Sequence, residues 1–352
     1  YAREIASWPR VLERYQDALA TRLVHAAALR DPRPIVHVLP RAAYGDAVTN
    51  YALQISEALR LEGHATRVVA SEIDEPLRGI VHAGSTYKPE DALTIGYLTT
   101  PSDAATLSDL GVRGPIAAAI FDQAKFDEIL ASCREARIDA AGVVPPPFFG
   151  AQRWNVAPDP TLLGALRDGR VNLLAVGPIE PASHLIEIVD VFSHYLALDF
   201  GARLSLVGPA VDAEYADRLH RWIERTGLEH RILVPGVVSQ PAMAAFLTTA
   251  DVAISHRERY ATGMSLLEAM EYGVPLCVLA NQSSRDVMGT AGILVADAGR
   301  PIELAALWRV LATDQPVRLR VIAGQRSRAA EFDAERALAT LSGLFANVKR
   351  AS

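Results

Sequence analysis

The sequence predicts an α/β chain of two doubly wound, Rossmann-like domains facing across a cleft, on three observations. Short apolar runs of strand type alternate with amphipathic helical stretches along most of the 352 residues. The alternation stops at "VVPPPFFG" (143–150) and then starts again. The length itself leaves room for two ordinary domains.

Taken in order, residues 2–29 read as one amphipathic helix, with Ile5, Trp8, Leu12, Tyr15, Leu19 and Leu23 at spacings of three and four. This stripe either packs on the body of the protein or docks to a protein partner or a membrane surface. Strand-type runs follow at 35–39, 66–70, 93–98, 116–120 and 141–144. Helices lie between them, the clearest over 47–62, which Gly63 ends. Three consecutive prolines continue neither a strand nor a helix, so 143–150 is expected to be a stiff boundary. Strands then recur at 171–177, 202–208, 231–236, 251–255, 274–280 and 292–296, with helices over 182–199, 212–227, 240–249 and 265–272. A last helical stretch covers 316–347. The domain reading is a helix at 1–30, an N-terminal domain at 31–148, a C-terminal domain at 149–330 and a terminal helix at 331–352.

Composition narrows the function. Half of the chain is apolar, 22% is charged and the net charge is −6, so no general electrostatic attraction to nucleic acid is expected. Cys133 and Cys277 lie far apart, and Cys277 falls in an apolar run, which reads as a buried free thiol in a reducing, cytoplasmic compartment. No apolar run reaches the roughly 18 residues of a membrane span, and there is no signal-peptide pattern. The chain begins with Tyr1 rather than Met and is expected to continue upstream. No His/Cys cluster or Asp-x-Asp loop is spaced for a metal.

The strongest local signal for chemistry is Gly263-Met264-Ser265-Leu266-Leu267-Glu268. A glycine lets backbone come close to a ligand, and a helix start offers free amides and a positive dipole end to a diphosphate. Glu268, one turn in, either accepts hydrogen bonds from ribose hydroxyls or merely stabilises the helix start. Asp122 reads as a ligand-edge carboxylate or as an N-cap, His82 as a base or a loop histidine, and Asn281, Gln282 and Ser283 as sugar contacts or a plain turn.

Four stretches extend this signal: "HVLPRAAYGDAVTNYALQISEALRLEGHATRVVA", "LLAVGPIEP", "ARLSLVGPAVDAEYADRLHRWIERTGLEHRILVPGVVS" and "LTTADVAISHRERYATGMSLLEAMEYGVPLCVLANQSSRDVMGTAGILV". In order, they resemble the GT-B glycosyltransferases, in particular the family-four retaining enzymes of surface-polysaccharide and O-antigen type, over residues 33–340. The resemblance implies a nucleotide-sugar donor as substrate, no separate cofactor and no metal, and a saccharide or glycoconjugate acceptor. It implies a cytoplasmic enzyme, peripheral at the inner face of a membrane if residues 2–29 dock there. Carried over residue by residue, it puts Glu268 on the ribose and the amides of Gly263, Met264, Ser265, Leu266 and Leu267 on phosphate and sugar. Val238, in the turn from Gly236, falls beside the base, and Gly45 and Asp46 fall on a loop facing the phosphates.

Elsewhere the chain departs from the family. The sugar-binding glutamate falls on Tyr260, with Glu258 two residues earlier as a substitute. The arginine and lysine after Gly177 that neutralise the diphosphate fall on Pro178 and Ser183, leaving His184, Arg257 and Arg259 as local cations. A family histidine falls on Gly96. Each charged hydrogen bond to a diphosphate is worth about 1.5–3 kcal/mol, so two losses weaken a donor about a hundredfold or more. Two readings stay open: a working glycosyltransferase, or a decayed GT-B protein that binds a partner. A sugar-nucleotide epimerase of similar fold fits less well, because the chain shows no clear cluster of carboxylates for acid and base work.

Overall fold

The computed structural model describes residues 33–43, 47–61, 63–88, 92–120, 126–143, 156–258 and 263–332. The expected helix over 2–29, most of the proline stretch, and Gly45, Asp46, Asp122, Arg259, Tyr260 and 333–352 lie outside them. The chain divides into two compact units, Tyr1–Pro147 with Ala334–Ser352, and Phe148–Asp333.

The first unit runs β1 (Ile35–Ala42), α1 (Ala47–Leu61), β2 (Thr66–Ile73), β3 (His82–Ala83), β4 (Leu93–Leu98), α2 (Pro101–Asp109), β5 (Gly114–Ile120), α3 (Phe126–Glu135) and β6 (Ile138–Val143). Its strands form one parallel sheet in the order β3-β2-β1-β4-β5-β6. All six residues of β4 are buried, as expected of a parallel strand covered on both faces. Thr100 and Asp103 form a capping box that starts α2, with Pro101 at its first position.

One buried polar group in this sheet is accounted for internally. His37 Nδ1 lies 2.7 Å from the Tyr97 hydroxyl and Nε2 lies 3.1 Å from the Thr66 hydroxyl. Burial pushes its pKa down to about 3, so the ring is neutral and structural. Two expectations change here. His82 is exposed on a two-residue edge strand rather than in a loop. Gly96, where the resemblance put a histidine, lies mid-strand between Val38 and Ala118, and a Cβ there would meet Ile116 Cδ1 at 2.7 Å. That position lies inside the sheet rather than at its edge, and a side chain there would have to displace the Ile116 methyl.

The second unit repeats the plan. It runs α4 (Pro160–Leu166), β7 (Asn172–Val176), α5 (Leu185–Tyr195), β8 (Arg203–Val207), α6 (Ala213–Thr226), β9 (Ile232–Gly236), α7 (Gln240–Thr249), β10 (Val252–Ser255), α8 (Met264–Glu271), β11 (Leu276–Leu279), α9 (Gln282–Met288), β12 (Ile293–Val295), α10 (Pro301–Thr313) and α11 (Gln315–Ala329). The sheet order is β12-β11-β10-β7-β8-β9, the same winding as the first sheet. Successive residues of β7 serve opposite faces. Leu173 and Ala175 pack with α5, α6 and α10 around the fully buried Trp308, while Leu174 packs with α7 and α8 around Leu267 and Met270. The buried Gln325 of α11 donates from Nε2 to the Val274 carbonyl (2.8 Å) and accepts from the Leu276 amide (2.9 Å), satisfying backbone at the start of β11. Cys133 and Cys277 are both buried free thiols.

The single helix expected over 182–199 is divided. A 3-10 turn, Pro181–Ser183, precedes α5, and His184 between them is left-handed at φ 51°, ψ 40°. Helices α4, α9 and α10 were not expected, and α11 ends at Ala329, while the expected stretch from 333 to 347 lies outside the described residues. No helix among the described residues is long and apolar enough to cross a membrane.

Candidate functional site

In a doubly wound sheet, ligands bind beyond the carboxyl ends of the strands where the strand order reverses. In the second unit that point lies between β7 and β10, which pair directly. The crest of the sheet is built by glycines. Gly177 follows β7, and its amide donates to the Val207 carbonyl at 3.0 Å; Gly208 follows β8, and its amide donates to the Gly236 carbonyl at 3.0 Å. A Cβ on Gly208 would come within 1.9 Å of the Gly177 carbonyl oxygen, so only glycine allows these backbones to lie so close.

Side chains from loops distant in sequence meet over this crest. Arg257, just past β10, extends across Gly177: a Cβ there would lie 3.0 Å from Arg257 Nη1. Its Nη2 pairs with Glu180 Oε1 at 3.2 Å. The next residue, Glu258, donates its amide to the Ala182 carbonyl (3.1 Å), and its carboxylate lies 3.0 Å from His184 Nε2. Asn281, after β11, donates to the Arg257 carbonyl at 2.8 Å and forms a capping box with Ser284. Gln282 donates to Asp286 at 2.7 Å. Asn281 and Gln282 are thereby engaged in the turn and the start of α9.

These contacts answer several expectations. Glu258, read as a substitute for the missing sugar-binding glutamate, is tied to His184. His184 itself is not a separate cation: burial lowers its pKa, and the hydrogen bonds and charges of Glu258 and Glu187 outweigh that and raise it overall. Ser183, at the family's lysine position, donates its hydroxyl to the Pro178 carbonyl at 2.6 Å. Gly177, Pro178, Ser183 and Arg257 line one cavity of about 10 Å³, room for one water at most.

Sequence reasoning missed Glu180 and His256. His256 is fully buried, its ring 6.2 Å from that of Trp308, with no hydrogen-bond partner for either ring nitrogen among the described residues. Burial first, and the charge of His184 second, push its pKa down to about 4, so it stays neutral. A histidine directly after an apolar strand was the only local signal.

The other end of the site is α8. Gly263 caps it at φ 66°, and a Cβ there would strike Val287 Cγ2 at 2.4 Å, so both backbone and packing require glycine. The side chains of Met264, Leu266 and Leu267 are core, and Ser265 is partly exposed. The amides of Leu266 and Leu267 both donate to the Gly263 carbonyl, at 3.0 and 3.1 Å, which closes the first turn on itself. Val238, ahead of the α7 cap Ser239, packs on the same apolar cluster.

Glu268 turns towards α7. With Val156, Gln240, Met243, Ala244, Leu247 and Tyr272 it lines a pocket of about 20 Å³, enough for one water. Burial among these groups pushes the carboxyl up to about 7, so it exchanges a proton near neutrality. Among the described residues no group of three or more His, Cys, Asp or Glu side chains is placed to hold a metal ion.

Residues 164–328 match the family model described as glycosyl transferases group 1. No curated protein matches the chain in sequence. Among solved structures, HepE from Anabaena in complex with UDP-glucose is similar at a TM-score of 0.68 and 14% identity, covering 89% of this chain and 99% of that one. WaaG, a glycosyltransferase involved in lipopolysaccharide biosynthesis, is similar at 0.63 and 12%, over 88% and 98%. A glycosyltransferase from Rickettsia africae is similar at 0.62 and 12%, over 91% and 100%.

Proposed function

We propose, for a chain with the GT-B glycosyltransferase fold and a group 1 glycosyl transferases segment over residues 164–328, that it transfers a hexosyl group from a nucleoside-diphosphate sugar to a saccharide or glycoconjugate acceptor. The transfer is retaining and serves cell-surface polysaccharide assembly in the cytoplasm. One observation carries the reading: a glycine crest and a cation stand at the switch point of the second sheet, in the same unit as a glycine-capped helix bearing a partly buried carboxyl. In this reading Glu268 accepts hydrogen bonds from the ribose hydroxyls, Val238 borders the base, and the turn from Gly263 to Ser265 meets phosphate. The protein contributes position and stabilisation of the departing diphosphate, which is where transfer of this kind gains its rate. The HepE structures hold UDP and UDP-glucose, which supports putting uridine donors first.

A second reading, a decayed site on a partner-binding protein, draws on Pro178, on Ser183 and on two cavities that each hold a water at most. Calorimetry with UDP, GDP, dTDP and their sugars separates the two. The enzyme reading expects one of them to bind below millimolar and Glu268→Ala to weaken that binding about tenfold or more. No binding of any at millimolar concentration leaves only the second reading.

A further inference from the structure

We infer that Arg257 receives the donor's diphosphate, and that Glu180 is an internal counter-anion which the diphosphate displaces. The inference rests on the donor reading above. The two positions where the resemblance implies diphosphate-neutralising side chains hold none: proline has no donor at side chain or backbone nitrogen, and the Ser183 hydroxyl is committed to the Pro178 carbonyl. The charge at this point comes instead from the neighbouring strand of the switch point.

Three features fit Arg257 to that task. Its guanidinium lies over Gly177, where the lack of a side chain admits it. Its backbone is anchored on both sides, by Asn281 on its carbonyl and by the Glu258 amide on Ala182. The side chain is only 19% exposed and that of Glu180 27%, so the pair is shielded from water and its charges act strongly. A guanidinium offers a planar fork of donors that fits a carboxylate and a phosphate alike. A diphosphate brings about two negative charges against the single charge of Glu180, so it can take over the fork. Glu258, the other nearby carboxylate, is held by His184, which offsets its repulsion of an incoming anion.

Glu180 therefore competes with ligand, and its removal should tighten binding, whereas removal of Arg257 should weaken it. The test is calorimetry of the full chain with UDP and with inorganic pyrophosphate, on folded variants checked by circular dichroism. Arg257→Gln is expected to weaken both ligands about tenfold or more. Arg257→Lys, which keeps the charge, loses less. Glu180→Gln tightens both about threefold to tenfold, and the tightening vanishes in the double variant. UDP affinity within twofold of wild type in Arg257→Gln overturns the inference and leaves the donor reading standing. Unchanged affinity in Glu180→Gln overturns the counter-anion role. Pyrophosphate binding that depends on Arg257, without binding of any nucleoside diphosphate, overturns the donor reading and keeps the anion site.

Discussion

At the α8 end of the candidate site one carboxyl, Glu268, sits in an apolar pocket and is kept near neutrality by burial alone. At the β7–β10 end four charged or titratable side chains, Arg257, Glu180, His184 and Glu258, pair with one another across two loops. The first end belongs to the core: its neighbours are fixed by the packing of α7 against α8, and its response to pH follows from desolvation. The second end belongs to loops above a glycine crest, and its partners can be exchanged without unpacking the sheet. The contrast separates a rigid part of the site from an adjustable one, and each part can be perturbed alone.

The largest effect is expected where the crest supports the charged end. Gly208→Ala places a methyl group on the Gly177 carbonyl, backbone against backbone, and should cost about 3 kcal/mol in denaturant unfolding. Pyrophosphate affinity should fall with it. A loss below about 0.5 kcal/mol would mean that the crest yields and that the two ends are not mechanically distinct.

Glu268→Gln addresses the apolar end. The carboxyl has a folded value of about 7 against an ordinary 4.5, so between those values the folded chain keeps a proton that the unfolded chain releases. Its contribution is therefore fully present below pH 4.5 and is lost as pH rises through 7. Wild type should lose about 1–3 kcal/mol between pH 5 and pH 8 relative to the glutamine variant. Parallel pH profiles for the two proteins would place the carboxyl in solvent.

The smallest effect belongs to His184. Its raised pKa means that its pairing stabilises below 6.5 and fades as pH rises through the folded value. Both partners are partly exposed, so unfolding should register no more than about 0.5 kcal/mol. The sharper measurement is the NMR titration of the ring, which should move down in Glu258→Gln. An unmoved titration would break the pairing of the two loops.

Much of the fold is legible because buried parallel strands are apolar runs closed by glycine, as in "VNLLAVG" and "ARLSLVG", which become β7 and β8. Other elements hide for local reasons. Strand β3 is two residues long, too short for any period. Helix α10 carries Leu304, Ala305, Trp308 and Leu311 in the core within an apolar stretch that blurs its helical period. The turn at His184 follows Pro181 and the bond from Ser183 to Pro178, a conformation that spacing of apolar residues does not report.

The sequence by itself determined the two wound sheets, the glycines at the crest of the second and the identity of the cations and carboxylates that remain. Periodicity and backbone conformation are short-range properties, and each residue states its own. Only the tertiary structure decided that Arg257 meets Glu180, 77 residues away, and that Glu268 faces α7 among apolar side chains. Charge pairing and desolvation depend on which strands become neighbours and which helix covers them, and strand order is a property of the assembled sheet.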